Sequence, residues 1–400
     1  MPSGLNIRSK RWHPCSGGRR IMLSSIQKKL LADRETKIPR VLLICFLVML
    51  ATRISWSFPI VGVGGLGKTT FLQLIYNEPK IQKHFELMIW VCVSDNFDVD
   101  SLANSIVEAA TPNKSTAHKA TPNKITADEA TPNSSTAGST SRKRPLDRLQ
   151  EALSGRRYLL VLDDVWNREY DKWEKLKRHL VHDAKGCVVL TTTRDEGVAK
   201  IMGTVKAYNL AALKDNFIQE IIETRAFSLQ NEEERHAVLV NMVGEIVKRC
   251  RGSPLAATAL GSVLRAKTSE EEWKDISLRS NICSEDSGIL PILKLSYNEL
   301  SSRMKQCFAF CAMFPKDYEI DVDKLIQLWI AHGFIQDQKE VRAETIGKRI
   351  FSELASRSFF VDVKQVRVSF NERCRWHNYS KNTCKIHDLM HDVALSTMEK

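Results

Sequence analysis

Short runs of Val, Ile and Leu alternate with helical periodicity through the first half of the chain. Residues 58–63, 88–93, 158–162 and 187–191 are apolar on both faces, the pattern of strands covered above and below in a parallel sheet. Between them, residues 68–76 and 173–180 space their apolar side chains as helices do. The alternation predicts an α/β domain over residues 58–207, with a parallel sheet flanked by helices. After about residue 208 the strands stop. Val238, Val243, Ile246 and Val247 then mark one helical face, so residues 208–285 are expected to form a helical domain, although 210–227 follow the pattern only weakly.

A third pattern fills residues 286–400. Apolar positions 297, 300, 304, 307, 308 and 311 predict one amphipathic helix, 322, 325, 326 and 329 a second, and 346, 350, 351 and 354 a third. Two alternating strands follow at 359–363 and 366–370, and a last helix carries Ile386, Leu389, Met390 and Val393. Three helices followed by a β-hairpin describe a winged-helix domain.

Two segments stand outside this plan. Residues 110–141 repeat ATPNKSTAHK, ATPNKITADE and ATPNSSTAGS, with Pro in every unit and almost no large apolar side chain. Such units have no face to stack on one another, so a solvated, disordered insertion is expected rather than a solenoid. Residues 1–57 form an atypical basic and apolar leader. Its apolar run at 41–51 is about half of the roughly 20 residues that a spanning helix needs, so membrane contact is not the expected role.

Composition changes the picture in two places. With 43% hydrophobic and 26% charged residues the chain is ordinary globular material. The net charge of +12 suggests nucleic acid until it is mapped: the first 60 residues hold 11 Lys and Arg against 2 acidic residues, which leaves +3 for the rest. No specific nucleic-acid partner is therefore expected. The ten cysteines are scattered, several of them in apolar runs, which reads as reduced thiols in a cytoplasmic protein rather than a disulfide framework.

The chemistry begins at residues 62–69, G-V-G-G-L-G-K-T, directly after a strand and opening a helix. This matches the phosphate-binding loop G-x-x-x-x-G-K-[ST]. Gly62, Gly64, Gly65 and Gly67 let the backbone turn so that N–H groups, those of Leu66 and Thr70 among them, point at a phosphate above a helix N-terminus. Lys68 supplies the mobile cation and Thr69 a hydroxyl for Mg²⁺. Residues 158–164, Y-L-L-V-L-D-D, end an apolar strand in two carboxylates: Asp163 is placed to hold Mg²⁺ and Asp164 to orient an attacking water. Arg194 ends the next strand in T-T-T-R and could reach a γ-phosphate.

With F-E-L-M-I-W-V at 85–91, G-S-P-L-A at 252–256, C-F-A-F-C-A-M-F-P at 307–315 and M-H-D-V at 390–393, these runs appear in an order that closely resembles the NB-ARC switch of plant disease-resistance proteins, the coiled-coil nucleotide-binding leucine-rich-repeat receptors. The resemblance covers residues 58–397 and implies more than spacing does. Pro254 would pack against adenine, and His391, with Asp392 beside it, would latch the winged helix to the ADP phosphates. ADP would mark the resting state and ATP the active, self-assembling one, with at most a slow ATPase resetting the switch. The signal would come, indirectly, from a pathogen effector or a guarded host protein, in the cytoplasm or at the plasma membrane. The leader does not read as a coiled coil and no L-x-x-L-x-L repeats follow, so the chain reads as a fragment of such a receptor.

Two other readings remain at this point: a dedicated NTP hydrolase, and an ATPase that reads DNA through its winged helix. The second needs a basic recognition helix, whereas residues 343–357 mix Lys348, Arg349 and Arg357 with Glu344 and Glu353. Cys374, His377, Cys384 and His387 have zinc-competent spacing but are expected to be loop residues.

Overall fold

The computed structural model describes residues 56–93, 97–111, 143–180, 186–228, 237–280, 288–338, 340–372 and 375–398. The apolar run at 41–51, nearly all of the repeat segment, and Cys374 lie outside the described residues. Strands β1 (Trp56–Val61), β2 (Leu87–Cys92), β3 (Tyr158–Asp163), β4 (Val188–Thr193) and β5 (Tyr208–Asn209) form a sheet in the order β2-β3-β4-β1-β5, and every pairing is parallel. Every residue of β3 and β4 is buried, which is why those strands read as unbroken apolar runs.

Helices cover both faces. The helix after the phosphate loop, α1 (Lys68–Asn77), and the short α2 (Pro79–Gln82) pack Phe71, Leu72 and Ile81 on one face. On the other, α3 (Val99–Ala110), α4 (Pro145–Leu153), α5 (Tyr170–Leu180) and α6 (Glu196–Met202) bury Ile106, Leu149, Trp173 and Val198. Asp98 and Asp195 cap α3 and α6 by accepting from backbone N–H groups of the first turn.

Next come α7 (Asp215–Ala226), α8 (Ala237–Arg249), α9 (Pro254–Leu264) and α10 (Glu270–Ser280). The weakly patterned residues 210–227 thus contain a helix, held by Ile218, Ile221, Ile222 and Ala226. The winged helix comprises α11 (Leu290–Asn298), α12 (Ser302–Phe310), β6 (Ile320–Asp321), α13 (Val322–Ala331), α14 (Ala343–Ser356), β7 (Phe360–Glu372), β8 (Arg375–Ile386) and α15 (Asp388–Met398). One continuous apolar core runs from Ile218 through Trp273 and Phe308 to Val393, joining the helical region to the winged helix.

Two expectations for this last region are corrected. Positions 297–311 do not form one helix: Ser301 accepts from the Met304 N–H and caps a new one, so the periodicity ran across a break. Residues 360–363 and 366–370 are not two paired strands but parts of β7, with Phe359 just before it. Asp362 at φ 51 and a register shift between Val361 and Lys364 form a bulge that interrupts its alternation. The pairing strand is β8, whose polar sequence read as loop although it lies between β6 and β7.

Helix α14 lies tightly against α13 at Gly347, where a Cβ would sit 2.4 Å from Ile326 Cγ2. We predict that Gly347→Ala destabilises the protein by about 1–3 kcal/mol through overpacking, despite a helix-propensity gain of up to about 1 kcal/mol. In an Ile326→Ala background the same change becomes stabilising. Urea denaturation of the four variants measures the coupling, and additivity would remove this contact from the account.

Candidate functional site

The sheet brings the carboxyl ends of β1, β4 and β3 side by side, and each ends in chemistry. Beyond β1 the loop turns through Gly65 and Gly67, at φ 77 and 87, a region that side-chain-bearing residues rarely adopt. Gly67 then starts α1. Lys68 is buried; its Nζ donates to the carbonyls of Gly62 at 2.7 Å and Val63 at 3.3 Å. Burial pushes its pKa down to about 8, against the pull of Asp164. An anion in the loop would reverse that penalty.

At the tip of β3, Asp163 is buried and accepts hydrogen bonds from Thr192 and, at 3.2 Å, from Thr69. Burial pushes it up to about 6 against those bonds. A hydroxyl from the first turn of α1 and a carboxylate from the end of β3 make a hard-oxygen pair that suits Mg²⁺, so Thr69 and Asp163 fit the metal expected of them. Asp164, in the left-handed region at φ 54, turns the other way. Its backbone N–H donates to Thr192 Oγ1, and its carboxylate accepts from the Trp166 indole at 3.0 Å and from Arg194 at 3.4 Å.

Arg194 is the hub. Its guanidinium lies 4.5 Å from the Trp166 ring centroid, and Nη2 reaches Asp388 of α15 at 3.3 Å as well as Asp164. Nη1 lies 3.4 Å from where a Cβ on Gly64 would stand, and the buried Nε has no hydrogen bond. An unsatisfied cationic donor beside a phosphate-type loop is what an anion ligand would complete.

The other domains close over the same loop. From the start of α9, Ser253 Oγ and the Leu255 N–H both donate to the Gly65 carbonyl, which puts Pro254 between two loop contacts. Cβ positions on Gly64 and Gly65 would meet Leu389 at 2.9 Å and Ile289 at 2.6 Å. The winged-helix residues at this edge are therefore Ile289, Asp388 and Leu389. His387 faces the charges of Arg194, Asp164 and Lys68, and desolvation followed by Arg194 pushes it down to about 4.

The structure does not bring His391 to the loop. It is buried with Nε2 at 2.7 Å from the Phe314 carbonyl and Nδ1 without a partner, while Asp392 pairs with Lys316 at 3.1 Å. Both contacts lie within the winged helix. The sequence carries two His-Asp pairs one turn apart, 387–388 and 391–392, and their residue types alone do not say which faces the loop. The available signal was position: the first pair joins β8 to α15, where the chain arrives at the cleft.

A phosphate loop after the first strand of a parallel sheet, a carboxylate tip on a second and an arginine tip between them define a P-loop NTPase domain, here followed by a helical region and a winged helix. The NB-ARC domain family matches residues 49–232, and the disease resistance protein winged helix domain matches residues 313–394. The protein belongs to the NB-ARC family of plant disease resistance proteins. It is 41% identical over 344 residues to the RGA4 protein of Solanum bulbocastanum and 40% over 342 residues to disease resistance protein RGA2 of the same species, covering 85% and 84% of this chain and 31% of each relative. Disease resistance protein RPP13 of Arabidopsis thaliana is 32% identical over 340 residues, 84% of this chain and 37% of its own length. The chain thus spans about a third of the curated relatives that it matches. A signal transduction ATPase with numerous domains from Pyrococcus horikoshii aligns over 87% of this chain and 41% of its own at 14% identity, with a TM-score of 0.46.

The titrations at the cleft give a pH signature. Burial, Asp164 and Asp317 push Asp388 up to about 8, against Arg194. In an open cleft an aspartate would titrate near its ordinary value of about 3.9, so a rise in pH should cost the closed cleft more than the open one. His387, lowered to about 4, favours opening only below its ordinary value of about 6.5. Between those limits Asp388 is the main contributor, with Lys68 titrating only near the upper one: closure weakens as pH rises from 6.5 to 8. Release of a fluorescent adenine nucleotide is expected to quicken over that window by up to about tenfold per unit, and Asp388→Asn to flatten the profile. A parent profile that is flat from pH 6.5 to 8 would refute the shared proton.

Proposed function

We propose that this chain is the nucleotide-operated core of a plant immune receptor, closed around ADP at rest and opened when ATP replaces it. The observation that carries the reading is Arg194, held between Asp164 of the nucleotide domain and Asp388 of the winged helix. A γ-phosphate would compete for that guanidinium and bring negative charge toward both carboxylates, whereas ADP leaves it to Asp388. One cation then reports the third phosphate and holds the lid.

The rest of the site fits this role. Lys68 and the loop N–H groups would take the β-phosphate, with Pro254 near the adenine side. Thr69 and Asp163 would hold Mg²⁺, which supplies charge neutralisation at the phosphate oxygens. The Asp164 carboxylate is occupied by Trp166 and Arg194, which suits slow hydrolysis that resets a switch better than rapid turnover. The relatives are disease resistance proteins, and this supports a cytoplasmic role downstream of a pathogen effector or a guarded host protein, with self-assembly in the ATP state.

Three substitutions separate this latch from its neighbours. Asp388→Val should speed ADP release about 5- to 150-fold, the effect of losing roughly 1–3 kcal/mol from the closed state. Asp392→Val, whose loss falls on Lys316, should leave release within about twofold, a change of under about 0.5 kcal/mol. Lys68→Ala should purify without nucleotide, as shown by chromatography of the denatured supernatant. Fast release from Asp392→Val with parental release from Asp388→Val would move the latch back to His391.

A further inference from the structure

A groove of about 520 Å³ separates the helical region from the winged helix, lined by Arg265 at the end of α9 and by Thr345, Lys348, Arg349, Ser352 and Ser356 along α14. Its carboxylate, Glu353, is already engaged by Arg357 at 2.7 Å and Arg265 at 3.6 Å. Lys348 and Arg349 are exposed and have no ion-pair partner among the described residues. Behind the groove, Arg225 of α7 donates Nη1 to the Ser356 carbonyl at 3.3 Å, while its buried Nε has no hydrogen bond. No carboxylate lies within ion-pair distance of Arg225 among the described residues, and Arg265 beside it carries like charge.

A solvated helix face normally carries its charges in balanced pairs. Here Arg265, Lys348 and Arg349 line the groove beside a single carboxylate, Glu353, which engages only Arg265 and Arg357, and Thr345, Ser352 and Ser356 stand among them. Guanidinium forks, an ammonium and hydroxyl donors in a concave site are the groups that recognise phosphate oxygens.

We propose that this groove binds a small, multiply phosphorylated anion that bridges α9 of the helical region to α14 of the winged helix. Such a ligand would offset the repulsion between Arg225 and Arg265 and fix the two regions in the arrangement seen here. The chemistry is shared by a soluble inositol polyphosphate and a phosphoinositide headgroup. Duplex DNA fits less well, because Glu344 and Glu353 stand on α14 among its basic residues.

The test is calorimetric titration of the whole chain with myo-inositol hexakisphosphate, with and without saturating Mg-ADP. Binding should be unchanged by Mg-ADP, which places it away from the phosphate loop whatever the fate of the switch reading. Lys348→Ala/Arg349→Ala should weaken binding roughly tenfold or more, the loss of at least one charge-assisted contact, without changing the melting temperature in Mg-ADP. Thr345→Glu, at an exposed position, supplies a second variant that must also weaken it. Flotation with phosphatidylcholine vesicles, with and without phosphatidylinositol 4,5-bisphosphate, separates the sources: vesicle binding stronger than soluble binding assigns the headgroup, and the reverse assigns the free anion. Parental affinity in both variants, full competition by Mg-ADP, or tighter binding to a short DNA duplex than to hexakisphosphate would overturn the proposal.

Discussion

The structure depends on keeping charge where water is scarce. At the carboxyl edge of the sheet, Lys68 and Arg194 face Asp163, Asp164 and Asp388, and each is at least largely withdrawn from solvent. Desolvation is the largest influence on Lys68, Asp163, Asp388 and His387, pushing the acids up and the bases down. Each pair gains little over an apolar replacement once its desolvation is counted, yet removing one partner leaves the other charge buried and uncompensated. The set holds because its charges are shared, with one guanidinium serving two carboxylates and two threonine hydroxyls serving a third.

That constraint explains the strand order. If β3 lay directly beside β1, Asp163 would adjoin the loop and no strand end would stand between them. Placing β4 between the two puts Thr192 within reach of Asp163 and Arg194 within reach of both the loop and Asp164. The remaining domains inherit the same edge. Ser253 and Leu255 fix the helical region to the Gly65 carbonyl, and Ile289 and Leu389 press on glycines that have no side chain to yield. A backbone that accepts φ near +80° is also a backbone that lets two foreign domains come within contact distance.

Much of this was legible in the sequence, for identifiable reasons. Strands buried on both faces announce themselves as apolar runs, and the G-x-x-x-x-G-K-T spacing fixes the loop. Asp163, Asp164 and Arg194 could be placed because each ends such a run. Legibility failed where pattern and contact part. The bulge at Asp362 split β7 into two apparent strands, and β8, polar along its length, gave no alternation to read. The cleft partners were hidden more deeply. His387-Asp388 and His391-Asp392 have the same residue types at helical spacing, and only the tertiary path, which turns one pair to Arg194 and the other to Phe314 and Lys316, distinguishes them.

Under the proposed switch, sharing Arg194 would also set how strongly nucleotide and domain closure are coupled. A group bonded to both carboxylates cannot give a γ-phosphate its full attraction without loosening one of them. Coupling between ligand and lid is therefore bounded by the difference between those contacts, and it acts equally in both directions. A charge-assisted contact at a partly buried site is worth about 1.5–3 kcal/mol, enough to shift a poised equilibrium by one to two orders of magnitude but not to lock it. The continuous apolar core beneath α15 adds to that hold, since it ties Leu389, Met390 and Val393 to the helical region. If opening occurs, it must therefore break at the polar edge before it can disturb that core, and the helical region and winged helix would begin to move together.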